Sequence, residues 1–373
     1  MSGRPRILVA AGGTGGHVVP AATVAQEILS LAPGAEILFV GAGRPAEANV
    51  LDPLGFRRRV LRVPALAGRG PLGAARAVPG LVRAMVGAVS LVREFRPDLC
   101  LAFGGYVCGP VGLAAKMFGL PLAIHEQNSV PGLANRWLGR LADLAMAGFP
   151  EALAGLGPGR GLVVGNPVRG PIAALAGEAR LVDGENPLIL VVGGSQGSRR
   201  LNLAALDMAG RLLAAGARFR LLHQTGPEME AEVREGYGRL GVQAEVLPFV
   251  QDMAGAYRRA SLAISRAGAL TLAELSAARL PAILVPLPSS AGGHQALNAG
   301  SLARAGLALV VPEEGLGSLA GTVGALLAEP GRLRAMSDGA GDLAAGAAAV
   351  GPRMAALVLG LIGGEGRGAR DVP

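Results

Sequence analysis

His17 is the first residue of this 373-residue chain whose type and place point to proton chemistry. It closes the run Gly12-Gly13-Thr14-Gly15-Gly16, which follows the apolar segment Ile7–Ala10 and precedes an apolar-periodic stretch from Val18. A strand, a glycine turn and a helix in that order gather backbone N–H groups and a helix N-terminus on one anion. The helix dipole disfavours imidazolium there, so His17 reads as a neutral imidazole able to accept a proton, or as a helix-capping histidine. The construction returns at Leu188–Val192, followed by Gly193-Gly194-Ser195-Gln196-Gly197-Ser198 and another helical pattern. In that second turn Ser195 and its neighbouring N–H groups would face a diphosphate.

Other polar residues gather just after apolar runs. Gly104, Gly105 and Tyr106 follow Leu99–Ala102, in a turn that either admits a bulky ligand or diphosphate or packs strand tightly on helix. His125, Glu126, Gln127 and Asn128 follow Leu122–Ile124, and four hydrogen-bonding side chains there read as a recognition site for an acceptor or sugar. Arg169, after Gly165-Asn166-Pro167-Val168, suits a phosphate clamp or an interdomain salt bridge. After Leu262–Ser265 comes Arg266-Ala267-Gly268-Ala269-Leu270-Thr271, with Glu274 one helical turn on. A carboxylate there suits two vicinal hydroxyls, as in ribose, or is an ordinary charge at a helix start. His294 and Gln295, after Gly292-Gly293, open a further helix and offer donors and acceptors to sugar hydroxyls, with Asn298 on nearly the same face.

Short apolar strands alternate with helical patterns throughout. The first half places strands at 7–10, 36–40, 99–102, 122–124, 144–146 and 162–164, with helices at 21–31, 72–95 and 111–118. The second half places strands at 188–192, 218–223, 244–247, 262–265, 282–285 and 308–311. Its helices fall at 201–214, 228–240, 271–278, 295–305 and 317–328. Continuous apolar strands between helices imply parallel sheets covered on both faces. The expected architecture is therefore α/β, with two Rossmann-like, doubly wound parallel-sheet domains facing a cleft. Ligands of such sheets bind beyond the carboxyl ends of the strands, where the unusual residues sit. Gly41-Ala42-Gly43-Arg44-Pro45-Ala46 matches a dinucleotide fingerprint, but no acid lies about 20 residues on, so it reads as an ordinary strand-to-helix turn.

Composition narrows the class. The formal net charge is +8, which suits anionic partners, and no basic stretch interleaved with aromatics marks a nucleic-acid module. Arg57-Arg58-Arg59 reads as a solvated loop or strand end. Two cysteines exclude a disulfide scaffold, and Cys108 reads as lacking a partner. No Cys/His metal spacing, Asp-x-Asp pair or Walker lysine is present, so a diphosphate would be neutralised by helix termini, N–H groups and arginine. The run Met354–Ile362 is apolar but shorter than the roughly 20 residues that span a bilayer.

Taken in order, these segments resemble the MurG family of bacterial peptidoglycan glycosyltransferases, which have the two-domain GT-B fold. The matching segments are 12–21, 104–110, 125–128, 165–169, 193–202, 224–226, 249–257, 266–274 and 294–299. Inverting transfer of N-acetylglucosamine (GlcNAc) from UDP-GlcNAc is the activity this resemblance implies. The acceptor would be the C4 hydroxyl of the muramoyl sugar of the undecaprenyl-linked lipid I, and the products lipid II and UDP. By the family's pattern, UDP-GlcNAc would meet Thr14, Gly15, Gly16, Asn128, Arg169, Ser195, Val250 (backbone to uracil), Ala269, Leu270, Thr271, Glu274 (ribose) and Gln295. Acceptor and diphosphate would meet Gly13, Gly104, Gly105, Tyr106, Glu126 and Gln127, with His17 as base and His125 as its competitor. The resemblance also implies an acceptor-binding, membrane-facing domain over residues 1–166 and a UDP-GlcNAc-binding domain over 167–345. Residues 346–373 would form a helix packing back on the first domain, and a tail.

No cofactor or obligatory metal is expected. The expected partners are UDP-GlcNAc, lipid I, the anionic cytoplasmic leaflet of the inner membrane and other cell-wall synthesis proteins, with no nucleic acid. Val78, Leu81, Val82, Met85, Val89 and Val92, with Arg69, Arg76, Arg83, Arg136, Trp137 and Arg140 nearby, would make a basic-rimmed apolar patch for that surface, or an ordinary core helix. The rival activities are a UDP-GlcNAc 2-epimerase and another GT-B lipid glycosyltransferase; a non-catalytic nucleotide-sugar-binding protein is the rival outside enzymes. Departures from the family's pattern are Cys108, where a small hydroxyl is common, and the glycine-rich loop 286–293.

Overall fold

A computed structural model describes residues 4–64, 71–157, 160–178, 180 and 186–363. Two compact units emerge. One comprises the chain up to Pro167 together with the segment from Ala349 onward; the other is Val168–Ala348.

The first unit carries strands β1 (Arg6–Ala11), β2 (Glu36–Gly41), β3 (Arg57–Val60), β4 (Leu99–Gly104), β5 (Leu122–Glu126), β6 (Leu144–Ala147) and β7 (Gly161–Val163). They form one parallel sheet in the order β3-β2-β1-β4-β5-β6-β7. Five helices matter for its site: α1 (Gly15–Leu31), α2 (Pro45–Leu51), α3 (Pro71–Phe95), α4 (Cys108–Met117) and α5 (Leu133–Leu138). Apolar side chains on both faces of β1, β2 and β4 feed two separate cores. Ile7, Val9, Phe39 and Leu101 pack under α1, and Leu8, Leu38, Cys100 and Ala102 pack under α3 and α4. Two-sided burial is why these strands read as unbroken apolar runs.

The second unit repeats the plan with β8 (Leu188–Val192), β9 (Arg220–Gln224), β10 (Ala244–Leu247), β11 (Leu262–Ser265), β12 (Ala282–Leu284) and β13 (Ala308–Val310), in the parallel order β10-β9-β8-β11-β12-β13. In both sheets the strand order reverses beside the first strand of the unit, between β1 and β4 and between β8 and β11. Ligand crevices form at such switch points. At the first of them the ladder slips, with Ala10 opposite Ala102 but Ala11 opposite Gly104.

Several elements differ from the sequence reading. Arg57–Val60 is an exposed edge strand, with Arg58 paired to Asp52 at 2.7 Å and Arg59 to Glu94 at 3.2 Å. Charged edge residues deter further strand addition. Helix α1 starts six residues before the expected Ala21, inside the glycine run, because the N–H groups of His17 and Val18 already turn back to the Thr14 carbonyl. The last helix, Gly341–Ile362, is longer than the apolar run at its end because the Gly/Ala-rich stretch before it is helical too. By length and composition it could cross a membrane. Yet Val350, Met354, Ala355 and Val358 are buried in the core under α1.

Candidate functional site

In the first unit the site is built at the β1/β4 switch point. His17 sits in the first turn of α1, partly buried, with Nδ1 3.0 Å from the Gly12 carbonyl oxygen. That contact makes Nδ1 the N–H donor and leaves the Nε2 lone pair free. Nε2 lies against the Gly104 turn, where a Cβ on Gly104 would come within 2.9 Å of it. Burial lowers the pKa of His17, opposed by the charge of Glu126 and the bond to Gly12. The imidazole is therefore neutral for a reason beyond the helix dipole: desolvation penalises its charged form.

Gly105 has φ +87°, and a side chain there would overlap the Gly12 carbonyl, so the turns after β1 and β4 touch through backbone alone. Cys108 has three partners, against the sequence reading. Its Sγ accepts from Gly104 N at 3.1 Å and approaches the carbonyls of Gly104 at 2.9 Å and Ala10 at 3.1 Å. Burial pushes the thiol up to about 12. Tyr106, Thr14 and Gly16 are exposed beside these turns.

Gly13 is committed elsewhere. Its N–H donates to Glu47 at 3.0 Å, and the same carboxylate takes the N–H groups of Ala42 at 2.9 Å and Gly43 at 2.8 Å. A buried carboxylate thus fills the turn that resembles a dinucleotide fingerprint and also occupies the Gly13 donor expected for a diphosphate. The sequence reading gave Glu47 no role; an acid four residues after Gly43 at a helix start was the available signal.

The run 125–128, expected as a recognition site for an acceptor or sugar, is mostly buried. His125, Glu126 and Gln127 are buried, and Asn128 is the one partly accessible member. His125 Nε2 meets the Gly165 carbonyl at 2.9 Å and Nδ1 meets Gln127 Nε2 at 3.1 Å, while Phe103 packs edge-on against the ring. Burial lowers its pKa to about 4. With both nitrogens taken, His125 joins strands to the chain at Gly165 and is a poor competitor for the role of base. Glu126 accepts from Asn128 N at 3.0 Å, Gly132 N at 3.0 Å and Asn135 Nδ2 at 2.9 Å, so it shapes its own loop.

On the outer helices the proposed apolar patch divides. Val92 is buried, and Met85 and Val89 pack on the core. Val78, Val82 and Val86 are 52%, 58% and 64% exposed, and Trp137 is 65% exposed. Met117, Phe118 and Leu133 are exposed too, on α4, at its end and on α5. Arg93 stacks on Phe118 at 5.6 Å and Arg140 on Trp137 at 5.2 Å. Arg76, Arg83 and Arg136 are exposed, and Arg69 lies outside the described residues.

In the second unit a cavity of about 370 Å³ opens at the β8/β11 switch point. Gly193, Gly194, Gly197 and Ser198 line one side, and Arg266, Gly268, Thr271 and Gln295 the other. Thr271 and Gln295, both expected to meet UDP-GlcNAc, are among these lining residues. Ser195 is exposed in the turn and Ser198 lines the wall instead. Residues 193–197 form a tight turn in which Gly197 N returns to the Gly194 carbonyl at 2.9 Å. Arg266, quoted in the sequence only as part of a segment, donates to Ser198 Oγ at 2.7 Å and pairs with Glu313. Arg200 shares Glu313 at 2.9 Å, so two guanidinium groups face one carboxylate beside the cavity.

The remaining expected contacts lie around it. Gln224 bridges the glycine turn to the next loop, donating to the Gly194 carbonyl and accepting from Val250 N, both at 2.9 Å. That leaves Val250 only its carbonyl for a base. Ala269 is buried and Leu270 partly so at a helix start. Gln295 Oε1 accepts from Leu287 N at 3.0 Å, and Asn298 is buried, its Nδ2 donating to the Ala267 carbonyl at 3.4 Å. Arg169 pairs with Glu274 at 2.8 Å inside this unit, so the ion pair it makes is not the interdomain one. Among the described residues no group of three or more His, Cys, Asp or Glu is arranged to hold a metal ion.

Comparison with known proteins places both units. Residues 7–147 match the glycosyltransferase family 28 N-terminal domain and residues 188–350 its C-terminal domain. A UDP-N-acetylglucosamine–N-acetylmuramyl-(pentapeptide) pyrophosphoryl-undecaprenol N-acetylglucosamine transferase of Syntrophotalea carbinolica is 40% identical over 91% of this chain and 94% of its own. The protein of the same name from Methylococcus capsulatus is 42% identical over the same shares. The crystal structure of Acinetobacter baumannii MurG superposes with a TM-score of 0.76 at 29% identity, covering 96% of this chain and 99% of that one. Similarity of this depth across both units means that the chain belongs to the MurG family of glycosyltransferases.

Proposed function

We propose that this chain transfers GlcNAc from UDP-GlcNAc to the C4 hydroxyl of the muramoyl sugar of lipid I, with inversion, giving lipid II and UDP. Identity near 40% sustained through both units carries the reading, and the free Nε2 of His17 supplies its base. The acceptor hydroxyl attacks C1 of GlcNAc in line, its proton passes to His17 Nε2, and the C1–O bond breaks with its electron pair leaving on UDP. The Gly12 carbonyl fixes the ring and stabilises the imidazolium as it forms. Charge on the departing diphosphate falls to the N–H groups of the Gly193–Gly197 turn, the Thr271 hydroxyl and arginine, in place of a resident metal ion. Glu274 takes the ribose hydroxyls.

The acceptor carries a polyprenyl chain, so the enzyme works as a peripheral protein on the anionic cytoplasmic leaflet. Val78, Val82, Val86 and Trp137, with Arg76, Arg83, Arg136 and Arg140, form the contacting face. The paired change Val82→Asp and Trp137→Ser should abolish co-sedimentation with anionic vesicles while leaving UDP binding unchanged. Retained sedimentation would assign the membrane contact to another face.

The decisive assay incubates labelled UDP-GlcNAc with a lipid I analogue, with and without EDTA. UDP release that requires acceptor and survives EDTA is expected. Release without acceptor, or formation of UDP-ManNAc, would establish an epimerase instead.

A further inference from the structure

Tyr257 is buried in the helix Met253–Arg259, and its hydroxyl donates to Glu274 Oε2 at 2.9 Å. The other carboxylate oxygen, Oε1, takes Nε and a terminal nitrogen of Arg169 at 3.1 and 2.8 Å. A carboxylate offers about four lone-pair sites. Three are filled here, both on Oε1 and one on Oε2, so a diol can gain two bonds only where one of these donors withdraws. The Arg169 side chain is 42% exposed and free to swing away, whereas Tyr257 is locked in place.

Arg180 completes the lock. One terminal nitrogen donates to the Ala278 carbonyl at 2.8 Å, and the other donates to the carbonyls of Tyr257, at 2.9 Å, and Ala260. It therefore ties the end of the helix bearing Tyr257 to the end of the helix Ala269–Ala277 that bears Glu274. Burial and the neighbouring carboxylate raise the tyrosine pKa well above its ordinary value, so the hydroxyl remains a donor.

We propose that Tyr257 is the positioning residue that holds Glu274 for the ribose diol, while Arg169 yields its oxygen to the arriving hydroxyls. The proposal rests on the reading of Glu274 as the ribose ligand. It makes Tyr257 a determinant of ribonucleotide over deoxyribonucleotide selection, although it touches no substrate. Arg169, once released, is free for the donor's diphosphate.

The test measures dissociation constants of UDP and 2′-deoxy-UDP, by calorimetry, for the unmodified protein, Glu274→Gln and Tyr257→Phe. The unmodified protein should prefer UDP by about tenfold or more, the usual scale for a hydroxyl bonded to a charged group. Glu274→Gln should abolish that preference. Tyr257→Phe keeps the ring and its packing, and should cut the preference at least about threefold through loss of one charged hydrogen bond, weakening UDP more than 2′-deoxy-UDP, which keeps only the 3′-hydroxyl. A Tyr257→Phe protein that keeps the full preference, or weakens both ligands equally, overturns the positioning role. An unmodified or Glu274→Gln protein that departs from expectation overturns the ribose reading instead.

Discussion

The β1/β4 and β8/β11 switch points share one backbone plan and differ in the charge built beside it. Beside β1 the buried carboxylate of Glu47 accepts three N–H groups, one of them from the glycine turn itself. Beside β8, in the position after the neighbouring strand where the first unit has Gly105, stands Arg266, and Arg200 joins it on Glu313. A built-in anion makes the first turn a poor phosphate cradle, and burial, against the pull of nearby carboxylate charge, keeps its imidazole neutral. Surplus guanidinium beside an open cavity suits the second to an anionic ligand. Duplicated topology thus divides the labour through a few charged side chains, with the strands almost unchanged.

His17→Ala should have the largest effect on that division. Turnover should fall about 10²–10⁴-fold, the usual contribution of a positioned base, while UDP affinity stays within about twofold. Loss of UDP affinity instead would put nucleotide at the first turn and break the comparison. Glu47→Ala leaves three backbone donors unpaired and should destabilise the first unit by about 3 kcal/mol or more. Read as a fall in melting temperature, with UDP still protecting the second unit, this sharpens the contrast; an unchanged melting temperature would remove Glu47 from it.

Acid should probe the buried histidines of both units. Burial lowers His125 to about 4 and His223 to about 3, against an ordinary value of 6.5. The unfolded chain binds protons first, so stability is full above pH 6.5 and drains as pH falls toward 4. At His125 alone the loss approaches about 3 kcal/mol. His125→Asn should flatten part of that slope in urea melts taken between pH 7 and 4; a slope identical to that of the parent would show that His125 is protonated in the fold. The smallest effect belongs to Cys108→Ser, which keeps a donor and acceptor among the same three partners and should shift stability by less than about 1 kcal/mol. Rapid modification of Cys108 by a thiol reagent would contradict its burial.

The fold was largely legible because two-sided burial leaves unbroken apolar runs: Leu188–Val192 and Leu262–Ser265 begin and end where the sequence places them. Short polar elements were not, since Arg57–Val60 pairs on one edge only and presents arginine outward. In the site, glycine turns and residues at strand ends could be found by spacing, as Gln295 was, whereas Thr271 entered through the family resemblance; both line the cavity. What spacing does not reveal is direction. His125, Glu126 and Asn298 turn inward because buried backbone groups need partners, and that need is set by neighbours distant in sequence. Glu47, Gln224 and Tyr257 received no individual role for the same reason, each acting on a group 17 to 34 residues away.

The core under α1 is closed by Val350, Met354, Ala355 and Val358, which the ribosome delivers only after the whole of Val168–Ala348. The second unit can therefore complete its fold while the first still waits for its last helix. At typical synthesis rates of about 5–20 residues per second, that wait lasts roughly ten to forty seconds. Throughout it, the apolar surface of α1 that this helix will cover stands open to chaperones, to the membrane surface and to other nascent chains. A stop codon near Ala349 would thus injure the half of the protein that was made first.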